Sequence, residues 1–299
     1  MASLILFFIG MALCNLFSGL QAVPVSQNKD DVASKNETNK NIIQFYDERF
    51  DLSELKLAGD IMFSEAQLND EVNDDDKKKD RNRRRRDTVG PVRPVATWKD
   101  GVVPYVFNFG MTDEQKKKIK WAMKIIERRS CIKFQETSFT DRPKHFLAIT
   151  TGNGCYSTVG SSNFPLNILS LKFPNCFDCS SIVHELLHAL GFFHEQQRMV
   201  RDKYVKINWK NIQPGQQYNF KKVKSLVDTD QTYDMRSLMH YKSYDFSSNG
   251  EPTIECINAD GTACQLGGKW LRYSDTKKLN KVYGCKPKRF GYSSRYNNQ

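Results

Sequence analysis

The sequence lacks any long apolar run beyond its first residues. After residue 22, no stretch holds the roughly eighteen consecutive apolar side chains that a membrane-spanning helix needs. The one apolar run covers residues 4–20, is short for a span and ends near Ala22. We therefore predict a secretory signal over residues 1–22 and a secreted, extracellular protein without a membrane contact. The alternative is a signal anchor, because no Lys or Arg precedes the run.

Cysteine is absent between Cys14 and Cys131, which excludes a disulfide scaffold for residues 23–86. Export implies an oxidising compartment, so the cysteines further along should pair. Seven remain after the signal leaves, and an odd number excludes complete pairing within one chain. Cys176 and Cys179 have the spacing of a redox pair, but their surroundings lack thioredoxin-like features. The seven are Cys131, Cys155, Cys176, Cys179, Cys256, Cys264 and Cys285.

Positive charge is scarce in the first part of the chain and abundant afterwards. Residues 23–76 carry 5 basic and 14 acidic side chains, a net charge of −9. From Asp87 onward there are 32 basic and 19 acidic side chains, a net charge of +13. Opposite charge favours association of the acidic arm with the basic body.

The boundary between arm and body is the basic run that ends in Arg83–Arg86. In a secreted protein this run is typical of a cut by a basic-specific processing protease, so we predict a pro-segment over residues 23–86. The alternative is a patch that binds an anionic matrix or a heparin-like polymer. Asn36 begins the one glycosylation sequon and lies in the arm.

Histidine is also scarce, yet three of the five histidines fall within residues 184–194. His184 and His188 are four residues apart, so on a helix both imidazoles lie on one face. Gly191 allows the helix to stop, because glycine reaches backbone angles that other residues avoid. The chain can then bring His194 back as a third nitrogen ligand.

Three protein ligands leave one coordination position open for water, which distinguishes a catalytic zinc from a closed structural zinc. We therefore predict one Zn²⁺ in the catalytic domain. Glu185, next to the first ligand, can face the zinc-activated water rather than the metal. It would act as general base and then as general acid in peptide-bond hydrolysis.

A second motif lies about fifty residues downstream, where residues 237–241 read Ser-Leu-Met-His-Tyr. A long histidine motif followed by such a methionine turn is the metzincin pattern. With Glu195 directly after the third histidine and Tyr241 two residues after Met239, the sequence resembles the astacin family of zinc metalloendopeptidases. The resemblance runs from about residue 97 to Cys285. It includes the stretch from Trp98 to Tyr105.

The resemblance implies an α+β fold: an astacin-like catalytic domain of two subdomains over residues 87–285, followed by a basic tail over residues 286–299. Its sheet is expected to be twisted and mostly parallel, with two long helices and an irregular C-terminal half. An extended protein or peptide substrate would add to the sheet edge around Tyr156. From this short tail we expect none of the extra modules that many relatives carry.

The resemblance also assigns roles to single residues. Tyr241 would be a labile fifth ligand that swings off the metal to donate a hydrogen bond to the tetrahedral intermediate. Met239 would form an apolar floor beneath the imidazoles, and Glu195 would meet the new N-terminus after processing. In the arm, Gly59 and Asp60 match a Phe-x-Gly-Asp element whose aspartate occupies the open zinc position of the zymogen, with Leu57 in place of the aromatic residue.

Two disulfides follow from the same resemblance, Cys131–Cys285 and Cys155–Cys176. Cys256 and Cys264 enclose Gly261 in a short loop, and we expect them to pair with each other. Cys179 departs from the family pattern, either as a buried free thiol or as a competitor of Cys176 for Cys155.

Local patterns predict where the helices and strands lie. Thr112 and Gln115 form a capping box that opens a helix reaching about Ser130. Strands are expected at residues 102–109, 132–136, 146–150 and 168–172, and a last helix at residues 274–282. Ser180 or Ser181 is expected to precede the zinc helix.

Two other functions remain open from the sequence. One is an inactive zinc-containing binding protein. It would require loss of an active-site residue, yet all of them are present: His184, Glu185, His188, His194 and Tyr241. The other is a secreted factor that binds polyanions through its basic surface.

Overall fold

The computed structural model describes residues 55–64, 96–138, 141, 145–161, 166–223, 231–257 and 265–286. The predicted signal, the Asn36 sequon, the basic run, Cys264 and the tail beyond Lys286 lie outside these residues. Within the described part, no helix combines the length and the apolar character needed to cross a membrane.

A seven-stranded mixed sheet forms the upper half of the structure. Its strands are β1 (Leu55–Ala58), β2 (Ile61–Ser64), β3 (Val102–Phe107), β4 (Lys133–Glu136), β5 (Phe146–Thr150), β6 (Tyr156–Thr158) and β7 (Leu166–Ser170). The order across the sheet is β1-β2-β6-β7-β5-β3-β4. The β1–β2 and β6–β7 pairs are antiparallel and the other four are parallel, as the prediction of a mostly parallel sheet requires.

Two helices share the main core with this sheet. Helix α1 covers Asp113–Arg129 and begins with the predicted capping box of Thr112 and Gln115. Helix α2 covers Cys179–Ala189. Apolar residues recur at helical spacing in both helices, and they fill the core between the helices and the sheet. Its fully buried members include Ile119, Ile126, Leu147, Ile149, Ile182 and Leu186.

The start of α2 differs from the prediction, which placed Ser180 or Ser181 before the helix. The N-cap is Asp178, whose carboxylate accepts the backbone N–H groups of Ser180 and Ser181 at 2.9 and 3.0 Å. Aspartate is a strong N-cap and its charge favours the positive end of the helix dipole, so it begins the helix two to three residues earlier.

The end of α2 is held by two aromatic side chains. Trp98 Nε1 donates to the carbonyl of Ala189 at 2.7 Å, and the Tyr283 hydroxyl donates to the carbonyl of Leu190 at 3.0 Å. These bonds satisfy carbonyls that a helix end leaves without intrahelical partners. The chain then leaves the helix through Gly191, which has φ 99° as its predicted role requires.

The lower half has little regular structure, as expected. A two-stranded antiparallel sheet pairs β8 (Val205–Ile207) with β9 (Ile254–Cys256). The last helix, α3, covers Tyr273–Val282. The α+β class that the sequence predicts is therefore confirmed.

Two disulfides join distant parts of the described chain. Cys131 bonds to Cys285, which ties the end of α1 to the end of α3, and Cys155 bonds to Cys176. These are the pairs that the resemblance implies. Cys179 is also disulfide-bonded, so both readings of it, as a free thiol and as a competitor for Cys155, are wrong. Cys256 is bonded too, and its expected partner lies outside the described residues.

A buried ion pair connects α3 to the chain that follows α2. Lys278 Nζ lies 2.5 Å from Glu195 Oε2, and both side chains are at most 4% exposed. The other carboxylate oxygen of Glu195 accepts from Arg198 at 2.8 Å and from the Asp234 N–H at 2.9 Å. Removing one partner of such a pair leaves buried charge without full compensation, which is strongly destabilising.

We predict that Lys278→Met lowers the free energy of unfolding by about 3 kcal/mol, because Glu195 then keeps only part of its compensation. Lys277→Met is the matched control, since Lys277 is the exposed neighbour on the same helix, and it should change stability by less than about 0.5 kcal/mol. Denaturant unfolding with the disulfides intact measures both. Equal losses of unfolding free energy in the two variants would contradict the importance of this ion pair.

Candidate metal centre

Helix α2 presents two histidines one turn apart, and the chain after Gly191 returns a third. The ring centroids of His184 and His188 are 4.7 Å apart. The ring of His194 lies 5.3 Å from His184 and 4.7 Å from His188. His188 and His194 are buried, and the side chain of His184 is 16% exposed. The structure thus brings the three predicted ligands to one point.

Backbone carbonyls orient two of these rings. His188 Nδ1 donates to the carbonyl of Phe192 at 2.6 Å, and His184 Nδ1 donates to the carbonyl of Leu238 at 3.0 Å. Such bonds fix the ring orientation and direct the other nitrogen toward the metal site. Burial lowers the pKa of His188 to about 4, so its imidazole is neutral and its Nε2 carries a lone pair.

The distances among the ligand atoms fit a small cation. His188 Nε2 and His184 Nε2 are 3.0 Å apart. Two nitrogens bound tetrahedrally at about 2.0 Å to one zinc ion lie roughly 3.3 Å apart. Three imidazoles, with a carboxylate as fourth donor, are ligands that zinc accepts. The residues present therefore fit zinc.

The fourth donor of the cluster is Asp60, from the turn between β1 and β2. Its carboxylate lies 3.1 Å from His184 Nε2, 3.2 Å from His194 Nε2 and 3.9 Å from His188 Nε2. One ligand atom from each of the four residues falls within 4.8 Å of the others. Burial by itself raises the pKa of Asp60, but the charge of His194 and the histidine hydrogen bonds hold this pKa well below its ordinary value.

Glu185 is a buried carboxylate that the cluster does not use as a ligand. It is 2% exposed, and its Oε2 has no hydrogen-bond partner among the described residues. Burial, and then the charge of Asp60, raises the pKa of Glu185 well above its ordinary value. Leaving a buried acceptor unsatisfied costs free energy, and such groups concentrate at functional sites.

Tyr241 lies against the cluster, with its ring centroid 4.3 Å from that of His194. A Cβ atom added to Gly59 would sit 3.0 Å from the Tyr241 hydroxyl, and Gly59 has φ 59°. Glycine is thus required there for conformation and for space.

Met239 is 2% exposed in the main core, and its carbonyl accepts the Glu195 N–H at 2.7 Å. Leu57, in the expected aromatic position, is 52% exposed.

Sequence reasoning missed several residues that hold this site. Lys278 and Arg198 already pair with Glu195, whose expected partner, the new N-terminus, lies outside the described residues. His240 donates from Nδ1 to the Tyr241 carbonyl at 2.6 Å and accepts from the Tyr233 hydroxyl at 2.6 Å. Lys278 is 83 residues from Glu195 in the sequence, so no spacing rule reveals this partner.

The sheet edge beside the cluster is covered by the acidic arm. Strand β2 pairs in parallel with β6, with Ile61 opposite Ser157 and Met62 opposite Thr158. The Ser157 N–H donates to the Asp60 carbonyl at 2.9 Å. The edge around Tyr156, which the sequence predicts as the substrate edge, is therefore already paired.

Comparison with known proteins agrees with this site. A family model described as astacin (peptidase family M12A) matches residues 91–284. The chain is 37% identical over 195 residues to zinc metalloproteinase nas-6 of Caenorhabditis elegans, covering 64% of this chain and 55% of that protein. It is 29% identical over 293 residues to zinc metalloproteinase nas-4 of the same organism, covering 92% of this chain and 89% of that protein. The chain thus spans about half the length of nas-6.

A solved structure is similar as well. It is high choriolytic enzyme 1, a hatching enzyme zinc-protease from the medaka fish Oryzias latipes, with a TM-score of 0.57 and 32% identity. That match covers 64% of this chain and 94% of the other. Since the family model spans well over half of the chain and includes the segment with the buried histidine cluster, the chain belongs to the astacin family of peptidases, peptidase family M12A, whose zinc dependence the cluster fits.

Proposed function

We propose that this chain is the latent form of a secreted zinc-dependent endopeptidase that cleaves protein or peptide substrates. The observation that carries the proposal is the cluster of three imidazoles beside the buried, unpaired oxygen of Glu185. Secretion is supported by the apolar first residues and by the pairing of the described cysteines. Loss of residues 23–86 by a cut after Arg86 would produce the active form.

In the active form His184, His188 and His194 would hold the zinc ion, and two of them are oriented by backbone carbonyls. Zinc, when bound, supplies Lewis acidity and lowers the pKa of water towards about 7. Glu185 takes a proton from the attacking water and delivers it to the leaving amine. Its burial without a partner suits this role, because burial disfavours the charged form and so raises the pKa of this carboxyl.

Tyr241 would supply the hydrogen bond to the developing oxyanion. Its hydroxyl is close to the cluster, since Gly59 leaves it space and its ring packs on His194. The His240 and Tyr233 hydrogen bonds hold the Tyr241 backbone in place. Met239 would serve as an apolar floor, because it is buried and thioether sulfur suits softer metals than zinc.

Latency would come from Asp60 and the strands around it. The carboxylate is within 3.2 Å of two imidazole nitrogens, where the substrate carbonyl and water would have to enter. Strand β2 occupies the edge that an extended substrate would use. Both obstacles belong to the arm, so one cut that releases the arm removes both. Glu195 keeps Lys278 and Arg198 as partners after the cut, so the expected contact with the new N-terminus would add to these bonds.

For the general base, we predict that Glu185→Gln lowers kcat/KM of the processed protein by about 10²–10⁴-fold while one zinc ion per chain is retained. Glu251→Gln is the matched control, because Glu251 is exposed and distant in sequence, and its activity should be unchanged. Peptide cleavage and metal analysis measure the two effects. Full activity of Glu185→Gln would exclude the proposed role, and an inactive parent protein would favour a zinc-containing binding protein.

For latency, we predict that Asp60→Ala makes the uncut chain measurably active, because the competing carboxylate is lost from the cluster. The comparison is cleavage of one peptide by uncut parent and uncut variant, with gel analysis to show that residues 23–86 remain attached. Chelation should abolish the gained activity, which assigns it to the metal site. Unchanged latency of the variant would refute the role of Asp60.

A further inference from the structure

The residue after Asp60 is the most deeply buried described side chain of the acidic arm. Ile61 is 1% exposed and packs with Val159, Phe193 and Val223, with the partly buried Tyr218 beside them. We call the four residues around Ile61, namely Val159, Phe193, Tyr218 and Val223, the Ile61 pocket. In contrast, Leu57 is 52% exposed, so burial differs sharply between these two described side chains of the arm.

The walls of the Ile61 pocket belong to the catalytic body and adjoin its working parts. Val159 directly follows β6, the strand that the arm pairs with. Phe193 directly precedes His194. Tyr218 and Val223 come from the irregular lower half. If the arm leaves, the four walls stay behind, and they then form an apolar recess between the substrate edge and the zinc cluster.

The chemistry of the recess selects one class of side chain. Its four walls are two valines, a phenylalanine and a tyrosine ring, and none of them carries a charge. Burying an apolar side chain there is favourable, whereas a charged side chain would lose its hydration without a partner. The pocket encloses an isoleucine in the uncut chain, which sets its size to a branched aliphatic group.

We infer that the Ile61 pocket is a specificity pocket that binds one aliphatic substrate side chain within two residues of the cleaved bond. This inference rests on the proposed endopeptidase function. A substrate strand added along β6 would occupy the place of β2. Because every second side chain of a strand faces the same way, one of its side chains can then point where Ile61 points in the uncut chain. Ile61 is adjacent to the residue at the zinc cluster, which keeps the selected position close to the reacting carbonyl.

The test is cleavage-site profiling of the processed protein on a proteome-derived peptide library. We expect Ile, Val or Leu to be favoured at least about tenfold in kcat/KM over Asp, Lys or Gly at one position near the cut. The preference is expected on one side of the cleaved bond only. That side reports the direction in which the substrate strand runs.

Two variants tie the preference to the pocket. Val159→Ala should enlarge the recess and shift the preference towards Leu, Met or Phe by about tenfold. Val223→Ala makes the same change on a separate segment outside the sheet, so a folding defect of one variant leaves the other informative. Val103→Ala is the matched control, since Val103 is fully buried in the main core, and its profile should equal that of the parent.

The outcomes separate the two proposals. Cleavage with no aliphatic preference, or an equal shift in Val103→Ala, overturns the pocket and leaves the endopeptidase function standing. Absence of any cleavage by zinc-loaded, processed protein overturns the proposed function and the pocket with it.

Discussion

The convergence of three imidazoles on one buried point is the constraint on which the rest of the structure depends. His184 Nε2 and His188 Nε2 lie 3.0 Å apart, a separation close to that of two nitrogens on one zinc ion. The fold keeps them there through the length of α2, the turn at Gly191 and the backbone carbonyls of Phe192 and Leu238. Relaxing any of these would separate the ligands, so much of the surrounding structure serves to hold them.

That support reaches far beyond the helix that carries two of the ligands. Glu195 follows the third histidine directly and is locked to α3 by Lys278. Asp275, also on α3, accepts from the Ser237 hydroxyl at 2.5 Å and the Leu238 N–H at 3.2 Å, next to the carbonyl that orients His184. The last helix therefore braces both sides of the cluster. The Cys131–Cys285 disulfide fastens the end of that helix to α1.

Much of the fold could be predicted from the sequence, because local signals dominate there. The capping box of Thr112, the helical spacing of Ile119, Met123 and Ile126, and the glycine after α2 are short-range patterns, and they locate the helices to within a few residues. The three histidines lie within eleven residues, at 184, 188 and 194, so their convergence could also be predicted from a short-range pattern. Lys278, Asp275 and the Ile61 pocket could not be found in this way, since each contact joins segments far apart in sequence. The cap at Asp178 was missed because three capping residues within four positions, Asp178, Ser180 and Ser181, compete for one place.

The central claim is that the histidine cluster holds a single zinc ion, with Asp60 in its coordination shell until the arm is removed. Zinc-edge X-ray absorption of the uncut, purified protein tests this most directly. The account predicts one zinc ion per chain, with three nitrogen neighbours at about 2.0–2.1 Å and carboxylate oxygen at about 2.0–2.2 Å that is lost in Asp60→Ala. Absence of zinc, or a sulfur-rich shell, would contradict it.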